Sequence, residues 1–378
     1  MTCSRRHCLS SLATMGMLGT ALGPIKSAWS QDDVSLDNLY VRDRLDEACD
    51  LAVSFLLKAQ RPEGSISDRG HAIALTSLAI MALASVGVEP GEPGERGRAM
   101  RAALDFVLQD GNQMESGYYG DRDGSRMYGH GIITLMLTEM LGMGATEEQN
   151  RLIHERLEAA LRLLLSSQSV SKPSKFQGGW RYAPGSTDSD LSVTIWQLMA
   201  LRSAKNDGMK VPAEAIESSL GYLRESFTGR RFDDGTKAGT VSEGGFSYTP
   251  GQSRPTFAMT AAGLLAMQVC GQYEAPEVAA AADWLLAHRP KSKERYLYYG
   301  LYYYAQGITN TVASMPRNPI ESCRRCYCRR SGETGRGLHP VPKNETWASS
   351  TPHRLRSCLY LFAFTTCRFI NDDTSLHG

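Results

Sequence analysis

The sequence predicts an all-α protein built as an array of helical hairpins, and three observations predict it. A passage recurs in variant form: a helix-like run, a Gly-rich turn that in most copies carries an aromatic, then a second apolar helix. The positions Gln60, Gln109, Gln168, Ser226 and His288 are read as equivalent and fall about 50–60 residues apart, a period of the kind given by helical-hairpin arrays. Apolar residues recur at three- and four-residue spacing, as in Leu75, Leu78, Ala79 and Ala82, or Leu157, Leu161, Leu164 and Leu165, which is the helical period. One such hairpin cannot bury its apolar face alone and needs copies of itself as neighbours.

The first copy ends its outer helix at Gln60, turns through Glu63-Gly64-Ser65-Ile66 and starts its second helix at His71. The second turns through Ser116-Gly117-Tyr118-Tyr119-Gly120, with a second helix over 130–141. The third, over 157–204, is the clearest: Gln168, then Gly178-Gly179-Trp180-Arg181-Tyr182, then an apolar helix. The fourth has Gly244-Gly245-Phe246-Ser247-Tyr248 and a helix over 257–267. The fifth begins near Ala282 and runs into a tyrosine-rich segment. The glycine pairs allow positive φ and close backbone approach. The Trp or Phe that follows is expected to plug between adjacent hairpins. Segments 89–94 and 229–235 read as loops separating copies.

This pattern resembles the Gln-Trp repeats of the squalene cyclase and protein prenyltransferase families, in which a helix ending in Gln is followed by a Gly-x-Trp turn that staples neighbouring helices. The resemblance covers residues 51–306 and is strongest at Gln168 with Gly178-Gly179-Trp180. It implies a closed α/α toroid of five to six hairpins; the repeats alone would also allow an open solenoid. The domain is expected over residues 31–309, with the last hairpin missing or scrambled.

The two ends read differently. Ser4-Arg5-Arg6-His7-Cys8-Leu9, a mildly apolar stretch and Ala28-Trp29-Ser30 match a twin-arginine signal peptide over residues 1–30, so an exported, periplasmic or extracytoplasmic location is expected. The apolar stretch is too short to span a bilayer, and no other long apolar run exists, so no transmembrane segment is expected. Five of the nine cysteines lie after Ile320 in an Arg-rich stretch without helical periodicity. We read residues 310–378 as an irregular tail translated out of frame, a reading that re-sequencing of the gene tests. Cys323, Cys326 and Cys328 have half the spacing of a zinc site and no second half, so no metal is assigned. A net charge of +1 implies no nucleic-acid partner. No nucleotide or phosphate-loop motif is present, and no cofactor is implied.

In the toroid implied by the resemblance, the second helices line the cavity and their N-terminal ends open at one rim. Asp188 and Asp190 there are the catalytic candidates. Class II terpene cyclases use an Asp-x-Asp-Asp run to protonate an alkene, and this chain has Leu191 at the last position. An alkene is so weak a base that the acid must be strong and well oriented. The same residues also fit an N-cap for a helix over 192–203. His71, His130, Thr194, Tyr296, Tyr299 and Tyr303 are the candidates for substrate binding. The tyrosines share one helical face and would stabilise a cation, stack on a sugar or fill the core. The leading function is a toroid that binds an isoprenoid-like apolar ligand or a protein partner without cyclase activity. The alternatives are a terpenoid cyclase or prenyltransferase-like enzyme, and a carbohydrate-active α/α-barrel enzyme. The last needs two facing carboxylates, drawn from Asp121, Asp123, Asp188 and Asp190.

Overall fold

The structure is a computed structural model that describes residues 44–68, 70–229, 231–232, 240–241, 244–252 and 254–314. The expected signal peptide lies outside the described residues, as does the tail from residue 315 on; residues 310–314, expected to belong to the irregular tail, are the end of the helix Leu297–Ser314. Among the described residues ten α-helices alternate between two layers. The outer helices are α1 (Arg44–Ala59), α3 (Glu95–Val107), α5 (Glu147–Gln168), α7 (Ala213–Glu225) and α9 (Pro276–Ala287). The inner helices are α2 (Ala72–Ser85), α4 (Arg126–Glu139), α6 (Leu191–Asn206), α8 (Phe257–Val269) and α10 (Leu297–Ser314).

Composition decides the layer. Every residue of α2 from 73 to 83 is buried, as is every residue of α8 from 257 to 268. A helix that is apolar all round has to be enclosed. By contrast α5 buries Ile153, Leu157, Ala160, Leu161 and Leu164 on one face. Its polar face carries Arg151 between Glu148 and Glu155. The inner helices pack in series, α2 on α4, α4 on α6, α6 on α8 and α8 on α10. Among the described residues α2 and α10, the two ends of this series, make no extended contact. Each inner helix also packs on the outer helix of the following copy: α2 on α3, α4 on α5, α6 on α7 and α8 on α9.

Three junctions between copies share one construction. Gln60 Nε2 donates to the Gly64 carbonyl at 2.9 Å and to Ala99 of α3 at 2.8 Å. Gln113 Nε2 donates to Gly117 at 3.0 Å and to Arg156 of α5 at 2.9 Å. Gln168 Nε2 donates to Gly178 at 3.0 Å and to Ala215 of α7 at 2.9 Å. The repeat glutamine of the second copy is therefore Gln113 and not Gln109: α3 stops at Val107, and a short 3-10 turn over Asp110–Asn112 carries the position further along the chain. At each junction the turn glycine has positive φ, 93° at Gly64, 90° at Gly117 and 82° at Gly178. A Cβ there would overlap the carbonyl oxygen of Ala102, Ala159 or Ser218 on the next outer helix.

The aromatic of the turn works within its own copy. Trp180 is 1% exposed; its Nε1 donates to Leu164 of α5 at 2.9 Å, and its N–H donates to Thr194 of α6 at 3.0 Å. Tyr119, Phe246 and Ile66 are the buried counterparts. Gly263 leaves the space that the Phe246 ring occupies. The aromatic thus closes a hairpin, while the Gln and Gly join that hairpin to the next.

The all-α expectation holds except in the fourth copy. There β1 (Phe227–Thr228) pairs antiparallel with β4 (Gly245–Phe246), and β2 (Arg231–Phe232) with β3 (Thr240–Val241). Of the stretch 229–235, read as a loop between copies, Arg231–Phe232 is strand β2 and lies between the two helices of one copy. Helix α4 starts at Arg126, ahead of the expected His130. Its Gly131 weakens the helical signal locally, yet it is needed because a Cβ there would overlap Trp196 and Gln197 of α6.

Candidate functional site at the inner rim

The turns that close the hairpins also hold the N-termini of the neighbouring inner helices. The Tyr182 carbonyl accepts the Met127 N–H of α4 at 3.1 Å, and the Tyr248 carbonyl accepts the Leu191 N–H of α6 at 2.9 Å. Asp123 caps α2: its Oδ2 accepts the N–H groups of Ile73 and Ala74 at 3.0 and 3.1 Å. These bonds satisfy the free N–H groups of a first helical turn. They also draw Tyr182 and Tyr248, each two residues beyond the turn aromatic, to one place on the rim.

Asp190 is the N-cap of α6. Its Oδ1 accepts the Val193 N–H at 2.9 Å and the Ser192 hydroxyl at 2.6 Å. Its Oδ2 is buried and lies 3.5 Å from Arg181 Nε, while Arg181 Nη1 lies 3.5 Å from the half-exposed Asp188. The guanidinium also sits over the rings of Tyr182 and Tyr248, 5.1 and 5.6 Å from their centroids. Tyr182 and Tyr248 share a hydroxyl–hydroxyl hydrogen bond of 2.6 Å. Across the rim Tyr128 stacks with Tyr182 at 6.5 Å. Tyr299 Oη donates to the Ser192 carbonyl at 3.2 Å, and Tyr303 Oη donates to Tyr299 Oη at 3.3 Å. Deeper in the ring, Trp196 stacks on Tyr302 at 5.7 Å and meets Tyr303 edge-on at 5.9 Å.

Burial raises the phenol pKa of Tyr128, Tyr248 and Tyr299 well above the ordinary value. These hydroxyls are therefore neutral donors at physiological pH. Burial likewise raises the Asp190 carboxyl from 3.8 to about 6, against the lowering effect of its hydrogen bonds and of Arg181. The native state then holds this proton more tightly than the unfolded chain, so ionisation opposes folding. Relative to an Asp190→Asn variant, wild-type stability is expected to fall as pH rises from 4 to about 6, by up to about 3 kcal/mol. Urea unfolding of both proteins at pH 4, 5, 6 and 7.5 measures the difference. A gap that stays constant across that range would remove the buried acid from the account.

The other sequence candidates take clear positions. Thr194 Oγ1 accepts the Trp180 N–H and donates to the Asp190 carbonyl at 2.6 Å. The same turn-to-helix bond recurs at Thr76 with Ile66, at Thr260 with Phe246 and at His130 with Tyr119. His130 is fully buried, its Nε2 faces the Ala160 carbonyl at 3.2 Å, and burial lowers its pKa to about 4. Its Nδ1 faces the Tyr119 N–H, so the neutral ring with the proton on Nε2 fits both contacts. His71 stands before α2 with φ 51°, its Nδ1 2.8 Å from the Asp123 carbonyl. Tyr296 precedes α10 with φ 59°, its ring under Arg295. The site therefore brings together Asp188, Asp190, Thr194, Tyr299 and Tyr303, while His71 and His130 serve the first two copies. Sequence reasoning missed Arg181, Tyr128, Tyr182, Tyr248 and Trp196 as site residues. The Gly-Gly-aromatic-x-Tyr pattern shared by the third and fourth turns was the available signal for two of them.

Comparison with family models and with curated proteins finds no match. Among solved structures, the α-1,6-mannanase GH76A of Salegentibacter sp. HEL1_6 aligns with a TM-score of 0.52 and 10% identity, over 85% of this chain and 99% of that one. An inactive variant of it in complex with alpha-1,6-mannotetrose aligns with the same values. A variant of the type II terpene cyclase MstE from Scytonema, in complex with geranylgeranyl dihydroxybenzoate, aligns with a TM-score of 0.45 and 14% identity, over 85% of this chain and 96% of that one. At 10% identity the mannanase likeness concerns the fold alone: the chain is an α/α toroid. Among the described residues no helix is long and apolar enough to cross a membrane.

Proposed function

We propose that this toroid binds a small ligand with an apolar, isoprenoid-like body against its inner rim, and that it does so without cyclase chemistry. One observation carries the second half of this reading. Asp190, the acid candidate in the Asp-x-Asp run, is 0% exposed, with Oδ1 engaged in capping α6 and Oδ2 held beneath Arg181. An acid in that position does not meet an alkene, and Leu191 stands where a third carboxylate would orient it. The half-buried rings of Tyr128, Tyr182, Tyr248 and Tyr299 offer the apolar wall, with Arg181 and the phenol hydroxyls as its polar edge. The Gln-Gly-aromatic repeat supports grouping the chain with the squalene cyclase and prenyltransferase repeat toroids. Residues 1–30 support an exported location.

A carbohydrate-active enzyme is the second reading. It is favoured by Asp188, whose side chain is 47% exposed beside Arg181, and by the toroid shared with a mannanase. Folds of this kind host unrelated activities. A glycosidase needs a second carboxylate facing the first, and Asp123 is engaged in capping α2.

Native mass spectrometry of protein purified from its own host separates the two readings. The expected spectrum carries an added mass that organic extraction removes and geranylgeraniol replaces. A bare spectrum, together with no shift on adding isoprenoid alcohols, sinks the ligand reading. A cyclised product from squalene overturns the absence of cyclase chemistry. Hydrolysis of an α-1,6-mannan establishes the second reading.

A further inference from the structure

We propose that Arg181 determines the specificity of the rim site: it fills a cation cage with the protein's own guanidinium and thereby selects a ligand whose head is a neutral oxygen acceptor, an alcohol or a ketone. The proposal rests on the ligand-binding reading above and adds the chemistry of the head to it. Two phenol faces and two carboxylates surround the guanidinium. Its carbon lies 5.1 Å from the ring centre of Tyr182 and 5.6 Å from that of Tyr248, within the range of cation–π attraction. Asp190 Oδ2 and Asp188 Oδ2 each lie 3.5 Å from one of its nitrogens. Rings and carboxylates together are the surroundings in which an ammonium from solution would bind. Here the chain supplies the cation itself.

The repeat shows that the scaffold does not require this arginine. In the other turns the buried residues Ile66, Tyr119 and Phe246 are followed by Ser67, Gly120 and Ser247. Ser247 donates to the Ser226 carbonyl at 3.1 Å, a bond that holds its own turn to α7. Arg181 instead reaches rings from two different turns. Its root is fixed on both sides. Trp180 is 1% exposed, and the Tyr182 carbonyl accepts the Met127 N–H at 3.1 Å. A guanidinium held in this way loses little freedom when a ligand arrives.

The guanidinium is balanced in charge, but its donors are not spent. At 3.5 Å neither carboxylate contact is a well-formed hydrogen bond, and among the described residues the Arg181 side chain makes no hydrogen bond. A guanidinium carries five N–H donors and no acceptor. The Arg181 side chain is 19% exposed, so it meets a ligand as an edge of donors. Lys172, a second cation facing Asp188, spends its ammonium on the carbonyls of Ser167, Gln168 and Val170. A diphosphate beside Arg181 would stand next to both carboxylates, and an ammonium would stand next to the guanidinium. Each is a like-charge contact that lowers affinity. A neutral oxygen acceptor meets neither penalty.

The test compares three probes that share one hydrocarbon chain: geranylgeraniol, geranylgeranylamine and geranylgeranyl diphosphate. Each is titrated against the protein by tryptophan fluorescence at pH 7.5, above the Asp190 carboxyl pKa of about 6. The wild-type protein is expected to bind the alcohol about tenfold more tightly than either charged head. Arg181→Ala, which empties the cage, is expected to bind the amine about tenfold more tightly than the wild type does, and the alcohol more weakly. Equal wild-type affinity for the three heads, or a preference for a charged one, overturns the assignment and leaves the ligand-binding reading standing. A folded Arg181→Ala variant with the wild-type ranking overturns it as well. No binding of any head sinks the ligand-binding reading and this assignment with it. The wild-type ranking decides the matter even where the variant does not fold.

Discussion

Replacing Gly178 by alanine is expected to destabilise the protein by about 3 kcal/mol or more. Two costs act together. The backbone at Gly178 has φ 82°, a left-handed conformation that a Cβ disfavours by roughly 1–2 kcal/mol. The added carbon would also overlap the Ser218 carbonyl, which is backbone of α7 and cannot rotate away. Relief would push α5 and α7 apart and strain the Gln168 bonds to Gly178, Ala215 and Ser219. Gly185 has open space around its Cβ position, and Gly185→Ala is expected to change stability by no more than about 0.5 kcal/mol. Urea unfolding of the three proteins checks both statements. Equal effects of the two substitutions would show that the turn is not a close-packed junction.

Trp180→Ala is the other large loss, expected at about 3–5 kcal/mol. The ring is 1% exposed, and its Nε1–H donates to the Leu164 carbonyl across the hairpin. Truncation leaves a cavity between α5 and α6 and removes that bond. Trp180→Phe keeps most of the packing and is expected to cost about 1–2 kcal/mol. If the two variants were equally destabilised, the hydrogen bond rather than the filled volume would be holding the hairpin shut. The Trp180 backbone also pairs with the Asp190 N–H at 3.0 Å. A loose Trp180 therefore disturbs the α6 cap and, through Asp190, the placement of Arg181.

Part of the candidate site was legible before the coordinates. Asp190 reads as an N-cap because a short acceptor precedes an apolar helical run, and it is one. Tyr299 and Tyr303 share a helical face by spacing alone, and their hydroxyls meet. Their partners were not legible. Tyr299 bonds to Ser192, more than a hundred residues away in the chain, and no local period encodes that contact. Thr194 and His130 were singled out for a ligand, and each also completes a turn-to-helix bond. That role appears only when the four copies are superposed in space, since a Thr and a His share no sequence signal.

The sequence by itself determined the helices, their alternation between enclosed and amphipathic, and the turns that join them. Each of these follows from interactions within one or two helical turns. The tertiary structure alone decided that Gln113 is the joining residue of the second copy, that the turn aromatic closes its own hairpin, and that the fourth copy contains a ribbon. It also decided which tyrosines from distant copies surround Arg181. Those outcomes depend on which carbonyl or ring lies within a few ångströms across a junction, and that distance is set only once the neighbouring copies have packed.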